Sequence, residues 1–325
     1  MDDEPLHGGP DAKGAARWDF SSNASACGPA PMLLQALQRV DAGRYPDPGY
    51  HALRDSLAAL HAVPAERIVI AASASEFITR MTAAVVQAFG PASVYAPRPG
   101  YADYARAASA WQLELVAQPR RAQLVWHTEP GSPAGRSEAV PAVADEAVLV
   151  VDRAYEALRL DGEAPPMPAA AWQLFSPNKA LGLTGVRGAY ALAPPGAAPL
   201  QQALARLAPS WPVGAHGVVM LAAWCDGEVQ RWVRESLASL RSWKRLQLAA
   251  CESIGWHCEP GVAPYFLARW AAALPPPSVL LPRLREHGVK LRDAASLGLP
   301  GWVRLSVQPP EAQAALLDAW RKVCR

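Results

Sequence analysis

Ala147-Val-Leu-Val-Val-Asp152 is a run of apolar, mostly β-branched residues that ends in a carboxylate. Such a run has the length of a strand buried on both faces, and a charge at its end emerges at the edge of the sheet. Just downstream, Trp172–Ser176 reads as a further strand, and it runs into Ser176-Pro-Asn-Lys179-Ala-Leu-Gly-Leu-Thr-Gly-Val-Arg187-Gly. Outward from this pair the chain alternates. Strand-like segments at Ile68–Ala72, Ser93–Ala96, Leu113–Val116, Gln123–Trp126 and Gly188–Leu192 are interleaved with amphipathic stretches at Glu76–Phe89 and Ala102–Ala110. Alternation of this kind predicts an α/β fold with a mostly parallel sheet, its binding residues at the C-terminal ends of the strands.

The flanks read differently. Residues 1–31 are rich in Gly, Pro and polar residues and predict an extended arm; helices are expected at Pro31–Ala42 and His51–Ala62. Beyond Pro212 a long proline-free helical pattern covers Gly227–Ile254. After it come strand-like Tyr265–Trp270, a helix at Val279–His287, a strand at Val303–Val307 and a closing helix at Pro310–Val323. The expected division is therefore an arm (1–31), a large α/β domain (32–226) and a connecting helix with a small α+β domain (227–325).

Composition narrows the class. Of 325 residues, 51% are hydrophobic and 18% charged, enough for a large core and too apolar for global disorder. A formal charge of +2 argues against a nucleic-acid binder or an anionic-membrane binder. No apolar run is long enough for a transmembrane helix, and the acidic start MDDEPLHGGPD has no apolar h-region, so a cytoplasmic protein is expected. The five cysteines are scattered; Cys251, His257 and Cys258 lack the paired spacing of a metal site. Only five of the basic residues are lysine, so a retained lysine hints at an amine that must lose its proton, which a guanidinium does not do.

The chemistry concentrates at Asp152, Tyr155, Ser176, Lys179 and Arg187. A strand-end carboxylate can hold a positive charge on a heterocyclic nitrogen. A lysine among small apolar residues favours its neutral form and so forms a Schiff base with an aldehyde. Ser176 and Arg187 bracket that lysine and suit a phosphate. Aldehyde, pyridine nitrogen and phosphate together describe pyridoxal 5'-phosphate (PLP).

On these residues the chain resembles the fold-type I PLP enzymes of the aminotransferase class I/II branch. Ser-x-x-Lys…Gly-x-Arg and the upstream Asp-x-x-Tyr carry the likeness. The resemblance implies that Lys179 bonds the cofactor aldehyde, Asp152 pairs with the pyridinium and Tyr155 bonds the ring oxygen O3'. It places Ala74 and Ser75 on the phosphate at a helix N-terminus. Tyr101 is placed on the ring, Ser132 where the family usually has Asn, and Arg304 on the substrate α-carboxylate. Tyr45 would reach the phosphate of a neighbouring subunit, which implies a homodimer with shared sites.

More narrowly, RYPDPGYHALRDSLAALHAVPAERI (44–68), PGYADYARA (99–107) and LHGGPD…WDFSSNASACGP (6–29) are similar to the threonine-phosphate decarboxylases of cobalamin biosynthesis. Those are relatives of the histidinol-phosphate aminotransferases. The arm with His7, Gly8 and Gly9 would then fold over the site onto a substrate phosphate, with Arg292 beside it. Departures are Glu129-Pro-Gly-Ser-Pro-Ala-Gly135 for the usual Asn-Pro-x-Asn-Pro-x-Gly, Arg153 for Glu, Ala72-Ser73 for Asn-Gly, and Gly214 for Asn.

Two activities follow from the resemblance: decarboxylation of L-threonine O-3-phosphate to 1-aminopropan-2-ol phosphate, or amino transfer to a 2-oxo acid. A non-catalytic PLP-fold protein is the reading from another class. Each residue also has an ordinary reading: a solvated lysine, a helix cap at Ser75, packing aromatics at Tyr45 and Tyr101, a surface arginine at Arg304, an unordered end at His7.

Overall fold

In the computed structural model, residues 7–324 are described, and β6 (Val148–Asp152) runs through the middle of the larger sheet. In chain order, β1 (Trp18–Asp19) precedes helices α1 (Pro31–Gln38) and α2 (His51–His61). Next come β2 (Ile68–Ala71), α3 (Ala74–Phe89), β3 (Ser93–Tyr95), α4 (Ala102–Ala110), β4 (Glu114–Leu115) and β5 (Leu124–Thr128). After β6 lie β7 (Trp172–Phe175), β8 (Ala189–Leu192), α5 (Ala198–Leu207), α6 (Ala215–Trp224) and α7 (Gly227–Ser253). The chain finishes with β9 (His257–Pro260), β10 (Tyr265–Arg269), α8 (Pro277–Glu286), β11 (Val289–Lys290), β12 (Arg292–Asp293), β13 (Val303–Ser306) and α9 (Pro310–Val323).

The larger sheet has seven strands in the order β2-β8-β7-β6-β5-β3-β4. The pairs β3/β4, β3/β5, β5/β6 and β6/β7 are parallel, and β8 runs antiparallel to both its neighbours. Apolar side chains cover both faces, which is why the strands read as unbroken apolar runs rather than as alternation. One face packs Phe77, Met81, Tyr104, Trp126 and Trp172, and the other packs Leu57, Tyr190, Leu221 and Leu240. This is the α/β, fold-type I arrangement, with a mostly parallel seven-stranded sheet.

A second, antiparallel sheet has the order β12-β13-β10-β9 and shares a core with α8 and α9 through Phe266, Leu284, Leu305 and Trp320. The N-terminal segment joins that half: β1 pairs with β11 in parallel, and Phe20 is fully buried in the same core. Helix α7 starts where Asp226 caps it, its carboxylate accepting the Glu228 and Val229 N–H groups at 2.7 and 3.2 Å. No helix among the described residues is long and apolar enough to cross a membrane.

Four helices depart from the sequence reading. The first helix stops at Gln38, not Ala42; Arg39 caps it, and Asp41 takes the Gly43 N–H in a turn at 3.0 Å. Helices α5 and α6 escape the sequence reading. Helix α5 opens with Pro199 in its first turn, where proline is tolerated, and α6 is apolar on every side, so it shows no helical stripe. Helix α8 runs Pro277–Glu286 rather than Val279–His287, because a proline is tolerated in its first turn.

Candidate active site

Asp152 ends β6 at the C-terminal edge of the parallel strands, opposite Thr128 of β5. The residue is 4% exposed. Its Oδ1 accepts the Ala154 N–H at 3.0 Å and its Oδ2 accepts the Tyr104 hydroxyl at 2.8 Å. Burial pushes this carboxyl up; the Lys179 charge and the two hydrogen bonds pull the other way. Lys179 lies in the turn after β7, anchored where its carbonyl accepts the Ser25 N–H at 2.8 Å, and its Nζ is 5.3 Å from the centroid of the Tyr155 ring. Tyr155 packs edge-on against Tyr265 at 4.8 Å.

A cavity of about 510 Å³ opens in front of these groups. Asp152, Lys179, Tyr155, Ser176 and Arg187 line it on the strand side. The start of α3 adds Ala74 and Ser75. The first-turn amides of a helix have no partner within the helix and attract anions. Here the cap is Ser73, whose Oγ accepts the Glu76 N–H at 3.1 Å, so Ser75 is not the cap; its hydroxyl is 2.9 Å from that of Tyr101. Tyr101 opens α4 and faces the cavity, and burial raises its phenol above the ordinary range.

The second sheet supplies Arg304 and Arg292, both buried and both lining the cavity. Arg304 donates to the Ser21 carbonyl at 3.0 Å and to the Ser132 hydroxyl at 3.5 Å, above the Tyr265 ring. Ser132 thus lines the cavity in contact with a guanidinium. Arg292 donates to Ser296 at 2.5 Å. The N-terminal arm brings His7 and Gly8 to the same space, His7 Nε2 lying 3.5 Å from Asp103. A Cβ on Gly8 would stand 2.1 Å from the Ser21 carbonyl oxygen, and Gly9 has φ +97°, so two successive positions exclude ordinary side chains. The arm is pinned by Lys290, which donates to the Gly9 carbonyl at 2.5 Å and pairs with Asp11 at 2.7 Å, and by Arg285. These cations hold the Asp11 carboxyl well below the usual range.

Of the residues given a cofactor or substrate role from sequence, Tyr45 alone lies outside the cavity; it is 78% exposed and stacks on Trp211 at 4.3 Å. The cavity also includes residues that the sequence reading missed, among them Tyr104, Thr128, Asn178 and Asn23. Tyr104 sits one helical turn after Tyr101, a spacing that could have revealed it. Asn23 and Asn178 stand inside quoted motifs without having been given a role. Glu129, at the place of a usual Asn, is 1% exposed and ion-paired with Arg159, and it accepts the Ser137 hydroxyl at 2.7 Å and the Glu138 N–H at 2.9 Å. Its carboxylate ties the Glu129–Glu138 loop to the body of the protein.

The profile of the family "Aminotransferase class I and II" matches residues 18–319. Among curated relatives, histidinol-phosphate aminotransferase 2 of Thiobacillus denitrificans is 27% identical over 333 residues, covering 94% of this chain and 91% of that protein. The histidinol-phosphate aminotransferase of Symbiobacterium thermophilum is 26% identical over 334 residues, 92% and 88% of the two chains. Similar solved structures include L-threonine-O-3-phosphate decarboxylase from Porphyromonas gingivalis, with a TM-score of 0.78, 20% identity and coverage of 93% and 98%. Histidinol-phosphate aminotransferase from Sinorhizobium meliloti, in complex with pyridoxal-5'-phosphate, gives a TM-score of 0.81 at 22% identity, covering 99% and 97%. These last two likenesses carry the fold, and the profile carries the family: from Trp18 to Ala319 this chain is an enzyme of the aminotransferase class I and II family.

Proposed function

We propose that the cavity binds PLP and that the enzyme decarboxylates L-threonine O-3-phosphate to 1-aminopropan-2-ol phosphate, a step of cobalamin biosynthesis. The donor set fits the cofactor: an amine, a buried carboxylate, a helix N-terminus with two serines and an arginine, and an aromatic wall. Three residues that line the cavity also carry buried polar atoms without a hydrogen-bond partner among the described residues: Asn23 Nδ2 and Oδ1, Asn178 Oδ1 and Arg304 Nε. In this reading Lys179 meets the aldehyde, Asp152 holds the proton on the ring nitrogen, and Tyr155 faces O3'. The amides of Ala74 and Ser75, with Ser176 and Arg187, hold the phosphate, while Tyr101 lies along the ring. When bound, the cofactor supplies an electron sink for the pair released at the substrate Cα.

The observation that carries the substrate class is the pinned arm. His7 and Gly8 join Arg292 and Arg304 in the lining of the cavity, which gives it donors for two anionic groups on a small amino substrate. Arg304 takes the α-carboxylate; Arg292, His7 and Gly8 take the phosphate. Which bond at Cα breaks then depends on how these anchors orient it. Lys179 Nζ is the group that can take up and return a proton there. Residues 32–226 are read as the cofactor-holding domain and 227–325 as the part bringing the two arginines, behind the arm of 1–31. The working unit is read as a cytoplasmic homodimer, Tyr45 of each copy serving the other's site.

A second reading, amino transfer of the histidinol-phosphate type, is favoured by the names of the curated relatives. One experiment separates the two. Purified protein loaded with PLP is given L-threonine phosphate, and separately histidinol phosphate with 2-oxoglutarate. Carbon dioxide release in the first mixture is the expected result. Turnover only in the second, with a shift of the cofactor band to its amine form, would replace decarboxylation by transamination.

A further inference from the structure

Tyr104 is fully buried, and a phenol in that position must place its hydroxyl. The group has one proton to give and lone pairs to accept with. An ionised Asp152 can only accept, so the phenolic proton goes to its Oδ2 at 2.8 Å. Thr128 Oγ1, 3.0 Å from the same phenolic oxygen, is then left to donate. The result is a directed chain from Thr128 to Tyr104 to Asp152, each bond polarising the next. It closes in space because Thr128 and Asp152 are register partners on β5 and β6. The Tyr104 ring is held in turn, stacked on Trp126 at 4.9 Å and 13° and met edge-on by Tyr101 at 5.6 Å.

We propose that Tyr104 is a positioning residue: backed by Thr128, its hydroxyl aims Asp152 into the cavity and keeps the negative charge on that carboxylate. The use of that charge, opposite a protonated ring nitrogen, rests on the PLP reading above. Three other titratable groups face Asp152: Tyr104 from α4, Lys179 after β7 and Tyr265 from β10. Burial raises both phenols well above their ordinary range, so they stay neutral; it raises the Asp152 carboxyl too, and the Lys179 charge and the Tyr104 bond are what oppose that rise. A tyrosine needed only for packing could be phenylalanine.

The test is infrared difference spectroscopy on the apoprotein across a pH titration, with the Asp152 carboxyl band assigned by its loss in Asp152→Asn. In Tyr104→Phe the protonation midpoint of Asp152 rises by about one to two units, a tenfold to hundredfold change in the proton equilibrium. Thr128→Val moves it the same way by about half a unit, since the lost bond is one step removed. On the loaded enzyme, Tyr104→Phe lowers kcat about tenfold or more and leaves KM within about twofold, as expected when orientation of the sink is lost rather than substrate binding. A Tyr104→Phe midpoint equal to the wild-type value overturns the proposal. If that variant does not fold, Thr128→Val decides, and no upward shift overturns it. Failure of the wild-type protein to take up PLP sinks the proposed function instead, and the midpoint measurement still decides on Tyr104.

Discussion

The floor of the cavity and its roof are built by different means. The floor, at Asp152, Tyr104 and Thr128, consists of strand ends and a helix whose side chains are bonded to one another, with Asp152 and Tyr104 buried and Thr128 half-buried. The roof, from His7 to Gly14, has little regular structure and is fastened by ion pairs from Asp11 to Lys290 and Arg285. Groups that work on a cofactor need fixed aim, which regular structure supplies, whereas groups that choose a substrate can sit on a separately fastened segment. On the proposed reading, reactivity belongs to the floor and selectivity to the roof.

Substitutions can break that division. The largest effect is expected at the floor: Lys179→Ala lowers turnover on the order of 10⁴-fold, measured as product per loaded site, because no other amine lines the cavity among the described residues. Full activity in that variant would contradict the assignment. Arg304→Met, between floor and roof, raises KM for an α-carboxylate substrate about a hundredfold through loss of charged hydrogen bonds. An unchanged KM would remove Arg304 from substrate binding.

Gly8→Ala tests the roof alone. The added methyl meets a backbone carbonyl, so the arm must lift, and KM for a phosphate-bearing substrate rises about tenfold while PLP affinity stays put. A matching loss of PLP affinity would show that roof and floor are not separable.

The smallest effect concerns pH. Asp11 has its folded value depressed by Lys290 and Arg285, so its fastening is fully present above the ordinary carboxylate value near 3.8 and is lost as pH falls below it. Limited proteolysis should find the arm equally protected at pH 7 and pH 5. A loss of protection between those values would assign the fastening to another group.

Much of the floor was legible in the sequence because its chemistry admits few residue types: AVLVVD, and Lys179 with Arg187 behind the next strand. The Tyr104–Asp152 bond was not, since it joins residues 48 positions apart whose meeting depends on the packing of α4 against the sheet. Helices α5 and α6 were hidden for a different reason, one by proline and one by uniform apolarity. Glu129 shows the limit of comparing letters. From the motif alone it reads as a departure without a role, yet its carboxylate is committed to Arg159, Ser137 and the Glu138 amide.

That commitment has a thermodynamic consequence. A loop closed by its own internal staple has already met its ordering entropy during folding, so a ligand entering beside it has less disorder left to remove. The Glu129–Arg159 knot therefore makes this wall of the pocket preorganised in the ligand-free chain, and affinity there reflects contacts made rather than a segment recruited.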